Sequence, residues 1–297
     1  MSEVQHETKN EIRIAYRQIY EQFAIKTNEL FKLYEGRIQG LEDKVRNPAY
    51  GINGDNDGSE YLYDFPSFYQ IEGVQFLMDH KRILIADEMG VGKTAQGIAG
   101  KIALQNKLGE KVKTLVVCPN KKVKKMWAEK LKEYITPEYY KTLTIENVEE
   151  YKKAKIGDAD IVLVDYHAFS FSDKKPNNNS KKKLNEKLMN AGFKYVILDE
   201  VHNVKNFSSA SRFNHVNDIA SKAEYLCMLS GTPIPNNLRD TYSLIALLKP
   251  EEIDEKGNKR GYKNAAVVAA EHSRTPSVIG AVLRASRLER KLENVAN

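Results

Sequence analysis

The sequence predicts an α/β fold: a mostly parallel sheet flanked by helices, with an N-terminal helical extension. Three observations carry this. Short apolar runs recur at 83–86, 114–118, 142–145, 161–165, 195–199 and 225–230. Helical stretches separate them, notably 93–107, 121–134, 208–221 and 237–248. The runs at 83–86, 114–118 and 195–198 are apolar without alternation, as strands buried on both faces of a parallel sheet read. A glycine-rich loop also joins the first strand to the helix that follows it.

That loop is Asp87-Glu88-Met89-Gly90-Val91-Gly92-Lys93-Thr94. Strand, glycine loop, Lys-Thr and helix together build a triphosphate cradle. Gly90 and Gly92 allow the tight turn that points N–H groups at phosphate oxygens, and the new helix adds its positive end. Lys93 can reach the β/γ-phosphates, and the Thr94 hydroxyl can hold Mg²⁺. The expected nucleotide-binding residues are therefore Met89, Gly90, Val91, Gly92, Lys93 and Thr94, with Asp87 standing where the general pattern has glycine. A turn before an ordinary helix would explain the glycines but not the Lys-Thr pair after them.

The strand Tyr195-Val196-Ile197-Leu198 ends in Asp199-Glu200-Val201-His202. The carboxyl end of a parallel strand faces the ligand crevice. Asp199 is placed to bind the nucleotide's metal, directly or through water. Glu200 is placed to polarise the water that attacks the γ-phosphate. Lys93, Thr94, Asp199 and Glu200 form the expected catalytic set, with Thr94 and Asp199 as the metal pair.

Further blocks occur in a fixed order: Phe68-Tyr69-Gln70, Val116-Val117-Cys118-Pro119, Asp165-Tyr166-His167, Val201-His202-Asn203-Val204-Lys205-Asn206, and Leu229-Ser230-Gly231-Thr232-Pro233-Ile234-Pro235-Asn236-Asn237-Leu238. With the glycine loop and the Asp-Glu pair, they closely resemble the first RecA-like motor lobe of superfamily-two helicases. Within these the resemblance is to the Snf-type DNA translocases, remodeller-like ATPases that carry Asp at the position of Asp87. It spans about residues 60–250. It implies ATP and Mg²⁺ as cofactors, with Gln70 reading the adenine edge, and double-stranded DNA as the partner. It implies coupling of hydrolysis to movement through His202, Ser230 and Thr232. It also implies nucleic-acid contacts at Pro119, Asn120, Lys121, Lys122, Tyr166 and His167. Lys124 and Lys125 extend that run where relatives carry small or hydroxyl residues, and a solvated helix face is the competing reading of all four lysines. Trp127 sits where relatives have an aromatic and is expected to pack rather than stack on a base.

The ends lie outside the resemblance. Residues 1–46 carry apolar positions from Tyr16 to Val45 at helical spacing, an amphipathic segment expected to fold onto the lobe rather than serve as a coiled-coil surface. Residues 47–60 read as a linker, 61–250 as the ATP-binding lobe, and 251–297 as a helical, Arg-rich tail, with Pro276 to Val295 as its helix. No Gln-x-x-Gly-Arg-x-x-Arg pattern of a second motor lobe is present, so a second lobe is expected to act in cis or in trans. The alternative function is a non-catalytic nucleotide- or DNA-binding regulatory module from a truncated or split motor. The stretch 172–187 reads as an exposed insertion whose Lys181, Lys182 and Lys183 are solvated.

Composition narrows the class. With 41% hydrophobic and 29% charged residues the 297-residue chain can build a core. Its net charge of +6 suits a phosphate-backbone ligand. Cys118 and Cys227, the two cysteines, read as small buried hydrophobes in a reducing compartment. With no apolar run of membrane-spanning length and no signal-peptide pattern, no membrane association is expected and a cytoplasmic location is.

Overall fold

The structure, a computed structural model, describes residues 68–171, 179–204, 210–231, 238–253, 259–262, 267–268 and 287–288. The expected N-terminal helix (1–46), the linker (47–60) and Thr232 lie outside the described residues. In chain order the elements are α1 (Phe68–His80), β1 (Arg82–Ile85), α2 (Lys93–Leu108), β2 (Thr114–Cys118), α3 (Lys121–Tyr134) and the single turn α4 (Pro137–Tyr140). They continue with β3 (Ile145–Asn147), β4 (Ile161–Asp165), α5 (Asn179–Met189), β5 (Tyr195–Leu198), α6 (Ala210–Ala220), β6 (Tyr225–Leu229) and α7 (Leu238–Leu248). Three two-residue strands complete them: β7 (Glu252–Ile253), β8 (Lys259–Arg260) and β9 (Arg287–Leu288). Two 3₁₀ turns, Tyr166–Phe169 and Val201–Val204, follow β4 and β5.

Seven strands form one sheet in the order β3-β4-β2-β5-β6-β1-β9, and every pairing in it is parallel. Side chains alternate across a strand, so β1, β2, β4, β5 and β6 each feed two cores. Leu84, Val117, Val164, Leu198 and Met228 pack on one face with Leu184 and Leu188 of α5, Phe213 and Val216 of α6, and Leu244 and Ile245 of α7. Ile83, Ile85, Val116, Ile197 and Cys227 pack on the other with Leu77 of α1, Ile98 and Ile102 of α2, and Trp127 and Leu131 of α3. This is an α/β lobe with helices on both sides of a parallel sheet, as the apolar runs predict, and it has the RecA-like architecture that the resemblance implies. Arg82 ties β1 to two helices: its guanidinium donates to the carbonyls of Leu247, Ala223 and Ala220. These lie at or just beyond the carboxyl ends of α6 and α7, where helix carbonyls lack intrahelical partners.

Four sequence readings change. The strand expected at 142–145 begins three residues later: the Thr142 and Leu143 N–H groups donate back to Tyr139 O and Tyr140 O in a turn, and the Thr144 N–H is taken by the Asp160 side chain at Oδ2. Pairing starts only at Ile145↔Ile161. The tail is not helical at Arg287–Leu288, which runs parallel to β1; the Ala86 N–H donates to Leu288 O at 2.6 Å. Among the described residues no other segment pairs with that side of β1, and a strand's backbone groups there favour an extended partner over a helix. The described part of the 172–187 stretch, from Asn179 on, is not simply exposed: it belongs to α5 and buries Leu184 and Asn185. Phe68–His80, read only as a motif, is a full helix whose Val74 and Leu77 enter the core.

Candidate functional site

Strands β5, β6 and β1 are neighbours, so the loops at their carboxyl ends meet side by side within two inter-strand spacings, on the order of 10 Å. Those loops carry Asp199-Glu200, Ser230-Gly231 and the glycine loop respectively.

The glycine loop is built by backbone conformation. Gly90 (φ 88°) and Gly92 (φ 79°) both adopt left-handed geometry, which side-chain-bearing residues enter only at a cost. Gly92 is the N-cap of α2 and gives it no side-chain cap, so the first-turn N–H groups keep their capacity for an anion. Lys93 Nζ donates to the carbonyls of Asp87 and Glu88, each at 2.8 Å, and so folds back over the loop. Burial pushes the Lys93 ammonium below its ordinary pKa, against the pull of Glu200, Asp87 and Asp199. Asp87 is fully buried, and Gln96 Nε2 on α2 donates to its Oδ2 at 2.9 Å. The residue that departs from the general glycine pattern thus pins the start of the loop to the helix at its end.

Gln70 on α1 donates through Nε2 to Val91 O at 3.3 Å. Thr94 lies half-buried in the first turn of α2. Met89, at 74% exposure, is the open lip of the loop. Gly231 lies against it: an added Cβ would come 2.9 Å from Met89 Cγ and 3.7 Å from Lys93 Nζ. Ser230, fully buried, donates its N–H to Ile85 O at 3.1 Å.

Asp199 is 7% exposed, and its Oδ2 accepts from Trp127 Nε1 at 2.7 Å. Burial raises the Asp199 pKa, with the Trp127 hydrogen bond acting the other way. Glu200 takes left-handed geometry (φ 47°), uncommon for a residue with a Cβ. The turn is held by Asn203, whose backbone N–H and Nδ2 both donate to Glu200 O. His202 Nδ1 stands 3.1 Å from Glu200 Oε2.

The donor set fits a magnesium triphosphate. The loop offers two left-handed glycines, an uncapped helix end and an ammonium folded over it. Asp199 offers an oxygen ligand of the kind hard cations take.

The expected nucleic-acid residues fare unevenly. Lys121 and Lys122 are exposed, and Pro119 is half-buried. Asn120 already caps α3 by accepting from the Val123 N–H, so that helix end is less open to phosphate than α2. Tyr166 is 1% exposed and offers no surface to a ligand; the 3₁₀ turn folds it into the core. His167 is exposed, but Lys181 Nζ contacts its Nδ1 at 2.9 Å and donates to its carbonyl and to Ser170 O. Lys181 is therefore an anchor of α5 rather than a solvated lysine. Lys124 is also not solvated: it is buried and donates to Val148 O. Its position three before Trp127 and seven before Leu131, on the buried face of α3, was the signal for this.

Sequence reasoning missed two links. Trp127 reaches Asp199 across 72 positions. Arg212 on α6 donates to Ser170 Oγ at 2.7 Å and to Asn203 O at 3.2 Å, joining the segment after β4 to the one after β5. Neither leaves a local pattern.

Fold and site together define a class, the RecA-like nucleotide-binding lobes of helicase-type motors. The chain belongs to the SNF2-related family: that domain's family model matches residues 69–283, more than half of the chain. Helicase swr1 of Emericella nidulans is 32% identical over 198 residues, covering 64% of this chain and 11% of that protein. Helicase swr1 of Schizosaccharomyces pombe is 29% identical over 199 residues, covering 64% and 14%. YqhH of Bacillus subtilis, an uncharacterized ATP-dependent helicase, is 25% identical over 218 residues, covering 71% and 35%. The chain thus spans a minor part of the length of the curated relatives it matches. Among the described residues no helix is long and apolar enough to cross a membrane.

Proposed function

We propose that this lobe binds and hydrolyses Mg·ATP and couples that reaction to movement along double-stranded DNA. The observation that carries the reading is the meeting of Lys93, Gly231 and the Asp199-Glu200 pair at the ends of three adjacent strands. The N–H groups of the 90–94 turn and Lys93 hold the β/γ-phosphates. Thr94 and Asp199 hold Mg²⁺, which when bound neutralises charge on the phosphate oxygens. Gln70, beside the loop, faces the adenine. Glu200 orients the attacking water, and its contact with His202 lets that pair rearrange when the γ-phosphate leaves. Ser230 and Thr232 carry the change onward. Exposed Lys121 and Lys122 give sequence-independent affinity for DNA phosphates. Two free, buried cysteines suit a reducing cytoplasm as the compartment of this activity.

Full turnover requires arginines from a second lobe, in the same longer polypeptide or in a partner. An arginine finger contributes roughly three to five decades in related systems. Phosphate release by the 297-residue chain is the test. Double-stranded DNA should stimulate it little, and a second-lobe polypeptide should raise it by orders of magnitude. Glu200→Gln should abolish that gain while leaving ATP bound. DNA-stimulated turnover that survives Glu200→Gln overturns the reading.

A further inference from the structure

Trp127 is the single tryptophan in the sequence and is fully buried. It sits on α3, yet its ring reaches across the core face to two other elements. A Cβ added to Gly97 of α2 would lie 3.0 Å from Trp127 Cη2 and 3.4 Å from Ile197 Cδ1 of β5. The absence of a side chain at Gly97 thus makes room for the indole against the sheet. From that slot Nε1 donates to Asp199 Oδ2 at 2.7 Å.

A buried indole N–H needs an acceptor, but a neutral backbone carbonyl would satisfy it. Here the acceptor is the carboxylate at the end of β5, where the charge-assisted bond is both short and orienting. A carboxylate held by one oxygen can no longer rotate freely about its terminal torsion, which is otherwise broad.

We propose that Trp127 is a positioning residue for the metal-holding carboxylate: its N–H sets the orientation in which Asp199 meets the Mg²⁺ of a bound nucleotide. The inference rests on the assignment of Asp199 under Proposed function. Groups that orient a metal ligand from behind typically contribute 10- to 100-fold to metal affinity. The same bond makes the indole a built-in optical reporter of the site.

One tryptophan makes a clean test possible. Biosynthetic replacement of tryptophan by 3-benzothienylalanine alters position 127 alone. It keeps the bicyclic shape and puts sulfur where the N–H was. ADP affinity is measured by calorimetry with Mg²⁺ and with chelator, and thermal melting checks that the fold is intact. The Mg²⁺-dependent part of ADP affinity should fall about 10- to 100-fold, while affinity in chelator stays unchanged. In the unsubstituted protein, Mg²⁺ added to the ADP complex should shift Trp127 emission, and Asp199→Asn should remove the shift. If the unsubstituted protein depends on Mg²⁺ and the isostere matches it, this inference fails and the metal reading of Asp199 stands. If the unsubstituted protein binds ADP equally well without Mg²⁺, the metal reading fails and the inference with it.

Discussion

Gln70 occupies the space that a side chain at position 92 would need: a Cβ built on Gly92 would overlap the Gln70 amide, which donates to Val91 O. The glycine therefore serves both the loop's left-handed turn (φ 79°) and the seating of α1 against the loop. Gly92→Ala should cost about 1–2 kcal/mol for the backbone and displace Gln70 as well, lowering nucleotide affinity and the preference for ATP over GTP. Gly90→Ala meets nothing within 4 Å and should show the backbone cost alone. Denaturation and nucleotide titrations of both variants check this. Equal loss of selectivity in the two would remove Gln70 from base recognition.

Exposed lysines on α3 should set the salt dependence of DNA binding. Replacing Lys121, Lys122 and Lys125 with glutamine should reduce the slope of log K against log salt by about 0.9 for each phosphate no longer neutralised. Lys124→Gln should instead lower stability and leave the slope alone, because its ammonium is buried on Val148 O. Binding isotherms at several salt concentrations separate the two outcomes.

Arg212 should couple the two ligands. It bridges Ser170, after β4, to Asn203, which holds the Glu200 turn. In Arg212→Ala, nucleotide and DNA should still bind, but the effect of each on the other should shrink toward nothing. Such couplings commonly amount to about 1–3 kcal/mol. Measuring ADP affinity with and without DNA, in both proteins, closes the cycle. Undiminished coupling in the variant would rule out this bridge.

Stability should rise in alkali on account of Lys101. Burial pulls its pKa down to about 8 from 10.5. Between those values the unfolded chain binds more protons than the folded lobe, so stability increases with pH through that window and is reduced below it. Lys101→Met should stabilise the lobe at pH 7 by on the order of 3 kcal/mol, the fall from 10.5 to about 8 taken at about 1.4 kcal/mol per pKa unit. The Tyr139–Gln105 hydrogen bond beside it is left in place. As the pH rises past the ordinary value of 10.5, the gap between the two proteins should close. A gap independent of pH would mean that the ammonium is not the cause.

Much of this lobe was legible in the sequence because its strands are buried on both faces. An unbroken apolar run such as Leu115–Cys118, within β2, then marks the strand. The helix read at 121–134 is found at those bounds, and its start is fixed by a cap from Asn120 that the sequence reading did not assign. What stayed hidden depends on partners far along the chain. The two residues of β9 are extended only because β1 has an open edge, and a two-residue strand has no period to detect. The 142–145 run has the composition of a strand, but its first residues turn back onto Tyr139 and Tyr140 and the Thr144 N–H goes to the Asp160 side chain. At the candidate site the glycine loop and the acidic pair are local patterns. The Trp127 and Arg212 links join residues by folding alone.

The central claim is that the 87–94 loop is a nucleotide cradle, and calorimetric titration of Mg·ATP tests it most directly. The wild-type chain should bind one nucleotide. Lys93→Ala keeps the backbone donors but loses the ammonium held over Asp87 and Glu88. It should bind more weakly by about 1.5–3 kcal/mol, roughly ten- to a hundred-fold. Equal affinity of the two proteins, or no binding by the wild type, would contradict the account.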